Sequence, residues 1–322
     1  MLYPLIFRPI FKERIWGGDA LRRLYGKSPP AGRPIGESWE ISDRPSDISV
    51  IDNGSFSGQS LRWLLDKFGP DVLGNALPNA AGLFPLLAKI IDAKENLSLQ
   101  VHPPPQKASE LGGEPKTEMW YVAHAGPGAE LWVGLKRGVT RKEFEDKIRA
   151  GTVAECFHRV RVAAGDAMFL PSGRVHALGA GIVIFEIQQN SDTTYRVFDW
   201  NRLDPAGKPR ELHVQQSLAS IDFEDFEPEL APSLSKKLDN QLVRQLVRDP
   251  LFDVDLVQTS GLPVKLGSGR MSLLAVVDGE LSVANRQERA IVGKGGFCLI
   301  PAACQEVECA GRATFLKVFA GS

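Results

Sequence analysis

A hydrophobic period of two is the feature that most limits what this chain can become. Apolar and polar residues alternate through "SWEIS", "LSLQVH", "EMWYVAH", "ELWVGL", "AMFLP" and "IVIFEIQQ", and the runs are broken by Gly, Pro, Asn and Asp. Side chains alternate across a strand, so these runs read as short strands. The same signal returns in "FDVDLVQ", "MSLLAVVDGELSVA", "FCLIPA" and "ATFLKVFA". Many short strands joined by turns predict a jelly roll or barrel. "VDGELSV" reads as a hairpin, because an Asp-Gly turn matches the twist of paired strands. Helical spacing is rarer. It occurs at Leu61, Leu64, Leu65 and Phe68, in "TRKEFEDKIRAG", and in "KKLDNQLVRQLV" near residues 236–247. Thr140 and Glu143 have capping-box spacing, and Gly151 is a plausible helix stop. From about 203 to 250 the chain is rich in Pro and charge and reads as a long connection around the barrel. With 322 residues, the expected organisation is a larger domain with helical insertions over 1–250, then a small barrel over 251–322.

Composition removes several function classes. A net charge of −1 argues against nucleic acid as the main partner, since a phosphate backbone needs a basic footprint. No apolar run is long enough to span a membrane. The apolar start "MLYPLIFRPIFKERIWGG" lacks the parts of a signal peptide, so the expected location is cytoplasmic. Cys156, Cys298, Cys304 and Cys309 form no CxxC pair and are expected to be reduced and buried.

One stretch, "NLSLQVHPPPQKASELGGEPKTEMWYV", asks for a chemical explanation. His102 follows a strand-like run and precedes three prolines, which forbid a helix or a central strand there. Glu118 opens the next strand-like run. A core needs neither residue, and the pattern places two side chains at one point from neighbouring strands. A third comes from "GDAMFLPSGRVHALG", where Gly165, Pro171, Gly173 and His176 form G-x5-P-x-G-x2-H. Pro171 and Gly173 shape a corner that aims His176 inward. Gln100 and His102 are two apart and share a strand face. His124, His158 and His213 match no motif.

The G-x5-P-x-G-x2-H pattern resembles the second half of the cupin motif. "LSLQVHP", "KTEMWYV" and "PSGRVHALG" together resemble type I phosphomannose isomerases, the zinc-dependent mannose-6-phosphate isomerases of the cupin superfamily. "RIWGG", "GESWEIS" and "QQNSDTTYR" add to the likeness, which spans residues 5–205 in separated blocks. The length is that of the short bacterial form. The resemblance implies a mainly β double cupin, two jelly-roll barrels with a few helices in insertions and connections. It implies one zinc ion per chain on His102, Glu118 and His176, with Gln100 as a further ligand. Two imidazoles and a carboxylate suit zinc, and an amide oxygen is a weak neutral donor. It further implies Arg196 and Glu186 as catalytic residues and Ser98 and Lys116 as substrate-binding residues, the last two as a phosphate contact. Of "GESWE", Trp39 is expected to belong to the barrel wall.

In the C-terminal segment Gly295 and Pro301 keep the cupin spacing, but Ala303 and Glu306 replace the glycine and the histidine, so this barrel is expected to be metal-free. The implied activity is interconversion of mannose 6-phosphate and fructose 6-phosphate, with a sugar phosphate as the small-molecule partner. The alternatives are a non-catalytic sugar-binding or regulatory cupin, or another cupin metalloenzyme acting on a related sugar.

Overall fold

Alternation becomes sheet almost throughout. A computed structural model describes residues 1–203, 207–266 and 269–321. Contacts divide the chain into two compact units. One comprises Lys12–Glu37 and Ile91–Leu230; the other comprises Met1–Phe11, Ser38–Ile90 and Ala231–Ser322. All the residues singled out as ligands or catalytic groups fall in the first unit.

Two sheets carry them. In the first, the strands follow the order Ile10–Gly18, Ile35–Ile41, Leu86–Ala93, Ile182–Gln189, Glu118–Ala125, Ala167–Leu170. In the second, the order is Tyr195–Phe198, Leu99–Val101, His176–Leu178, Glu130–Leu135, Phe157–Arg161. Trp120, Val122, Met168, Leu170, Ile182 and Ile184 of the first sheet share one apolar cluster with Leu131, Val133 and Leu178 of the second. The other face of the second sheet is also buried. Leu99, Val101, Ala177, Tyr195 and Val197 pack with Phe144 of the helix Arg141–Ala150 and Leu218 of the helix Val214–Ser220. The strand Leu99–Val101 therefore sends Leu99 and Val101 to the helices. The intervening face is left for Gln100, and for His102 one residue beyond the strand. The helix Arg141–Ala150 starts where the sequence indicates: Thr140 Oγ1 accepts the Glu143 N–H at 3.2 Å, and Gly151 closes the helix at φ 73°.

Two expectations fail in the C-terminal sheet. Residues 236–247 are not a helix. They fall in a hairpin, Ser235–Leu238 against Gln241–Asp249, turned at Asp239 with φ 49°. Leucines at helical spacing suggested a helix. However, Gln241–Asp249 finds a full antiparallel partner in Phe252–Thr259, and the ladder overrides the propensity. The long connection inferred for 203–250 thus contains this hairpin and the helix Val214–Ser220. "VDGELSV" is not a hairpin either. Ser272–Ala284 runs as one strand, with a register shift between Val276 and Asp278 where it pairs with Ala313–Ala320. Gly279 sits there at φ 79°, and a Cβ would lie 2.1 Å from the Arg312 carbonyl oxygen. The Asp-Gly pair marks a bulge rather than a turn. The four cysteines are free and buried.

Candidate metal centre

Cross-strand register explains why three residues far apart in sequence meet. On the second sheet, His176 stands opposite Gln100, and Gln100 stands opposite Arg196. On the first, Glu118 stands opposite Gln188 and Leu170, and Trp120 opposite Glu186 and Met168. The loops next to these strands are tied by backbone. The Gly173 N–H donates to the His102 carbonyl at 2.9 Å, with Gly173 at φ 95°. The Lys116 N–H donates to Ser172 Oγ at 3.2 Å.

The result is a cluster of His102, Glu118 and His176 whose donor atoms all lie within 4.8 Å of one another. All three are buried, Glu118 completely. His102 Nε2 is 3.4 Å from Glu118 Oε2, and His176 Nε2 is 3.4 Å from Glu118 Oε1. Each imidazole uses its other nitrogen on a backbone carbonyl: His102 Nδ1 on Thr193 at 2.8 Å, His176 Nδ1 on Arg174 at 2.9 Å. A carbonyl accepts only, so each Nδ1 carries the proton and each Nε2 lone pair faces the carboxylate. Burial pushes His102 down to about 3, with the Lys116 charge adding to the effect, and burial also lowers His176. Burial would raise Glu118, but Lys116 and the two histidines hold it well below the ordinary carboxylate value. At neutral pH this is two neutral imidazoles and one carboxylate, a donor set that fits a divalent metal ion.

Gln100 Nε2 lies 3.3 Å from His176 Nε2, at the edge of the cluster. The Lys116 ammonium, 5% exposed, lies 2.5 Å from Glu118 Oε2 and 3.1 Å from His102 Nε2. Lys116 is therefore part of the centre rather than a strand-end lysine in solvent. Ser98 is buried two residues before Gln100. Glu186 accepts the Trp120 Nε1–H at 2.7 Å, and the Trp120 ring meets the His176 ring edge-on at 5.3 Å. Arg196 donates from Nη1 to the Glu211 carbonyl at 2.7 Å, and its buried Nε has no hydrogen-bond partner among the described residues. Trp39 is fully enclosed, with Lys89 Nζ 5.8 Å from its ring.

Sequence reasoning missed the supports. Thr193 and Arg174 act through their carbonyls, which leave no side-chain signal. His213, which matches no motif, accepts the Arg196 backbone N–H at 3.2 Å. Asp199, Arg202 and Arg210 form a charged cluster beyond the Arg196 strand; only the density of charge in "RVFDWNRLDPAGKPRELH" hints at it.

An antiparallel β-sandwich whose interior ends in two histidines and a glutamate is a cupin-type fold with a candidate metal centre. Residues 5–118 match the family described as phosphomannose isomerase type I, catalytic domain. The chain is 36% identical over 302 residues to a mannose-6-phosphate isomerase of Streptococcus mutans, covering 94% of this chain and 93% of that protein. It is 42% identical over 221 residues to a mannose-6-phosphate isomerase of Bacillus subtilis, 68% of each chain. The crystal structure of the mannose 6-phosphate isomerase from Bacillus subtilis superposes with a TM-score of 0.89 at 30% identity, over 98% of this chain and 99% of that one. The chain belongs to the type I phosphomannose isomerase family.

Proposed function

We propose that the protein is a zinc-dependent isomerase that interconverts mannose 6-phosphate and fructose 6-phosphate by proton transfer through an enediol. The observation that carries this is the buried His102, Glu118 and His176 cluster, with both Nε2 lone pairs and the carboxylate converging. Zinc held there would supply Lewis acidity to the sugar oxygens at the reacting carbons.

The chain's own residues take the remaining tasks. The Thr193 and Arg174 carbonyls fix the two imidazoles. Gln100 offers a neutral amide beside His176 and is assigned as a further ligand. Lys116 and Ser98 are assigned to the substrate, with Lys116 at the reacting end of the sugar because its ammonium already sits among the ligands. The Arg196 guanidinium, one strand from Gln100, is the fixed cation for the enediolate. Glu186 is assigned to acid-base work; its Oε1 accepts from Trp120, whose ring in turn meets the His176 ring. Residues 251–322 are assigned a structural role. Glu306, at the histidine position, accepts a hydrogen bond from Arg286 Nη2 at 2.9 Å. No helix among the described residues is long and apolar enough to cross a membrane, and a cytoplasmic location is proposed with the activity.

A metal analysis with a coupled isomerase assay tests this reading. The expected result is one zinc per chain, with His176→Ala losing both metal and turnover. Full activity in a rigorously metal-free preparation refutes it.

A further inference from the structure

Lys116 and Gln188 share one face of the first sheet and are complementary in what they leave unused. Lys116 and Glu118 are two apart, and the Lys116 ammonium folds back onto Glu118 Oε2 at 2.5 Å and His102 Nε2 at 3.1 Å. An ammonium carries three N–H donors, so a third remains to spend. Gln188 stands directly opposite Glu118 on the strand Ile182–Gln189. The pairing runs on past that position: the Gln189 N–H donates to the Thr117 carbonyl at 3.0 Å, and the Thr117 N–H donates to Gln189 Oε1 at 2.8 Å. Cross-strand partners present their side chains on the same face. Gln188 therefore lies beside Glu118 and diagonal to Lys116, within reach of a lysine side chain.

The Gln188 amide is fully buried, and its partners settle which way round it sits. Nε2 donates to the Gln189 carbonyl at 2.8 Å and to the Ser191 carbonyl at 2.7 Å. Both partners accept only, so the NH2 must be on that side, and Oε1 is fixed on the other branch of the amide. That oxygen is buried and has no hydrogen-bond donor among the described residues. A buried acceptor left unmet is costly, and such an atom in a folded protein calls for an explanation. The other donors of the centre are spent: each imidazole gives its Nδ1–H to a backbone carbonyl, and Trp120 gives its Nε1–H to Glu186. Lys116 has an N–H to spare.

A metal ion held by the cluster claims the lone pairs of Glu118 and His102, the same lone pairs that hold the ammonium. Two cations do not share them, so the ammonium has to move when metal binds. We propose that Gln188 is a positioning residue: with metal bound, its Oε1 receives the Lys116 ammonium displaced from Glu118 and His102. The charge is thereby kept beside the centre in a fixed place, and the amide oxygen gains the donor it lacks. A bond from an ammonium to a neutral oxygen is charge-assisted and stronger than one between neutral groups. The proposal rests on the metal reading of the cluster and not on the identity of the sugar.

The test is a double-mutant cycle on zinc affinity, measured by competition with a chromogenic chelator for wild type, Gln188→Met, Lys116→Met and the double variant. Loss of a hydrogen bond to a charged group predicts zinc binding weakened roughly ten- to hundredfold in Gln188→Met. In the Lys116→Met background the same change should alter affinity by less than about twofold, because the ammonium that Gln188 serves is gone. A Gln188 that merely supports the fold weakens zinc equally in both backgrounds. That result, or an unchanged affinity in Gln188→Met, overturns the proposal. No zinc binding by wild type refutes the metal reading and the proposal with it. Should Gln188→Met fail to fold, a crystal structure of the zinc-loaded wild type decides. Lys116 Nζ within about 2.7–3.2 Å of Gln188 Oε1 supports the proposal, and Nζ anywhere else overturns it.

Discussion

Replacing Lys116 by Met should weaken the metal-free protein and tighten its hold on metal. The Lys116 ammonium lies 2.5 Å from Glu118 Oε2 and 3.1 Å from His102 Nε2, in a site where Glu118 is fully buried. Both neighbouring imidazoles are held neutral, so Lys116 is the one full positive charge in direct contact with that carboxylate among the described residues. Removing one member of a buried ion pair typically costs about 3–5 kcal/mol, because the remaining charge stays desolvated. At about 2–4 °C per kcal/mol, the metal-free melting temperature should fall by roughly 6–20 °C. A metal ion must draw on the same lone pairs that hold the ammonium. Lys116→Met penalises the metal-free state more than the loaded one, and the thermodynamic cycle then requires tighter binding. Even if only about 1.4 kcal/mol of the difference is recovered, zinc affinity rises about tenfold. Affinity is measured by competition with a chromogenic chelator, and stability by calorimetry with and without zinc. Weaker zinc binding, together with an unchanged metal-free melting temperature, would show that Lys116 is not the counter-charge of Glu118.

Three further outcomes are expected. Arg196→Ala should keep its zinc and lose about a hundred- to thousandfold in kcat with little change in KM, and Arg196→Lys should recover only part; a rise in KM alone would place Arg196 with Ser98 and Lys116 as a substrate contact. Without metal, stability should fall as pH drops from the unfolded histidine value of 6.5 towards about 3, because the unfolded chain takes up protons that His102 and His176 refuse when folded; each histidine adds a slope of up to about 1.4 kcal/mol per pH unit, and a flat melting temperature across that window refutes the assigned protonation states. Gly279→Ala should destabilise the C-terminal sheet by about 1–3 kcal/mol, since φ is 79° and the new Cβ would meet the Arg312 carbonyl; a denaturant midpoint equal to wild type would remove the bulge argument.

The His102, Glu118 and His176 cluster was legible because each residue lies in or next to a strand whose period is two. Once "LSLQVH" is a strand, Gln100 and His102 must share a face, and the Pro171–Gly173 corner leaves His176 one direction to point. The supports of the two imidazoles were not legible, since His102 and His176 are held by carbonyls of Thr193 and Arg174 that any residue could supply. Lys116 was expected at the substrate, yet nothing in the sequence says it would sit 2.5 Å from Glu118 rather than reach outward. Residues 236–247 misled because leucine spacing is local information, whereas the partner strand Phe252–Thr259 supplies the backbone hydrogen bonds that decide. Asp278–Gly279 misled in the same way: the dipeptide suits a turn or a bulge, and the pairing with Ala313–Ala320, which continues to Gly279 across a register shift, selects the bulge.

The bond from the Gly173 N–H to the His102 carbonyl joins the two histidine-bearing corners without using any side chain. The distance between the two imidazoles is therefore inherited from main chain, and the identity of the donors is written separately in the residues mounted on it. Such a scaffold lets a lineage exchange Gln100, or even a histidine, and still present the replacement at the same place. A substitution at either position leaves this main-chain bond untouched, while an insertion of one residue at either corner would shift His102 against His176.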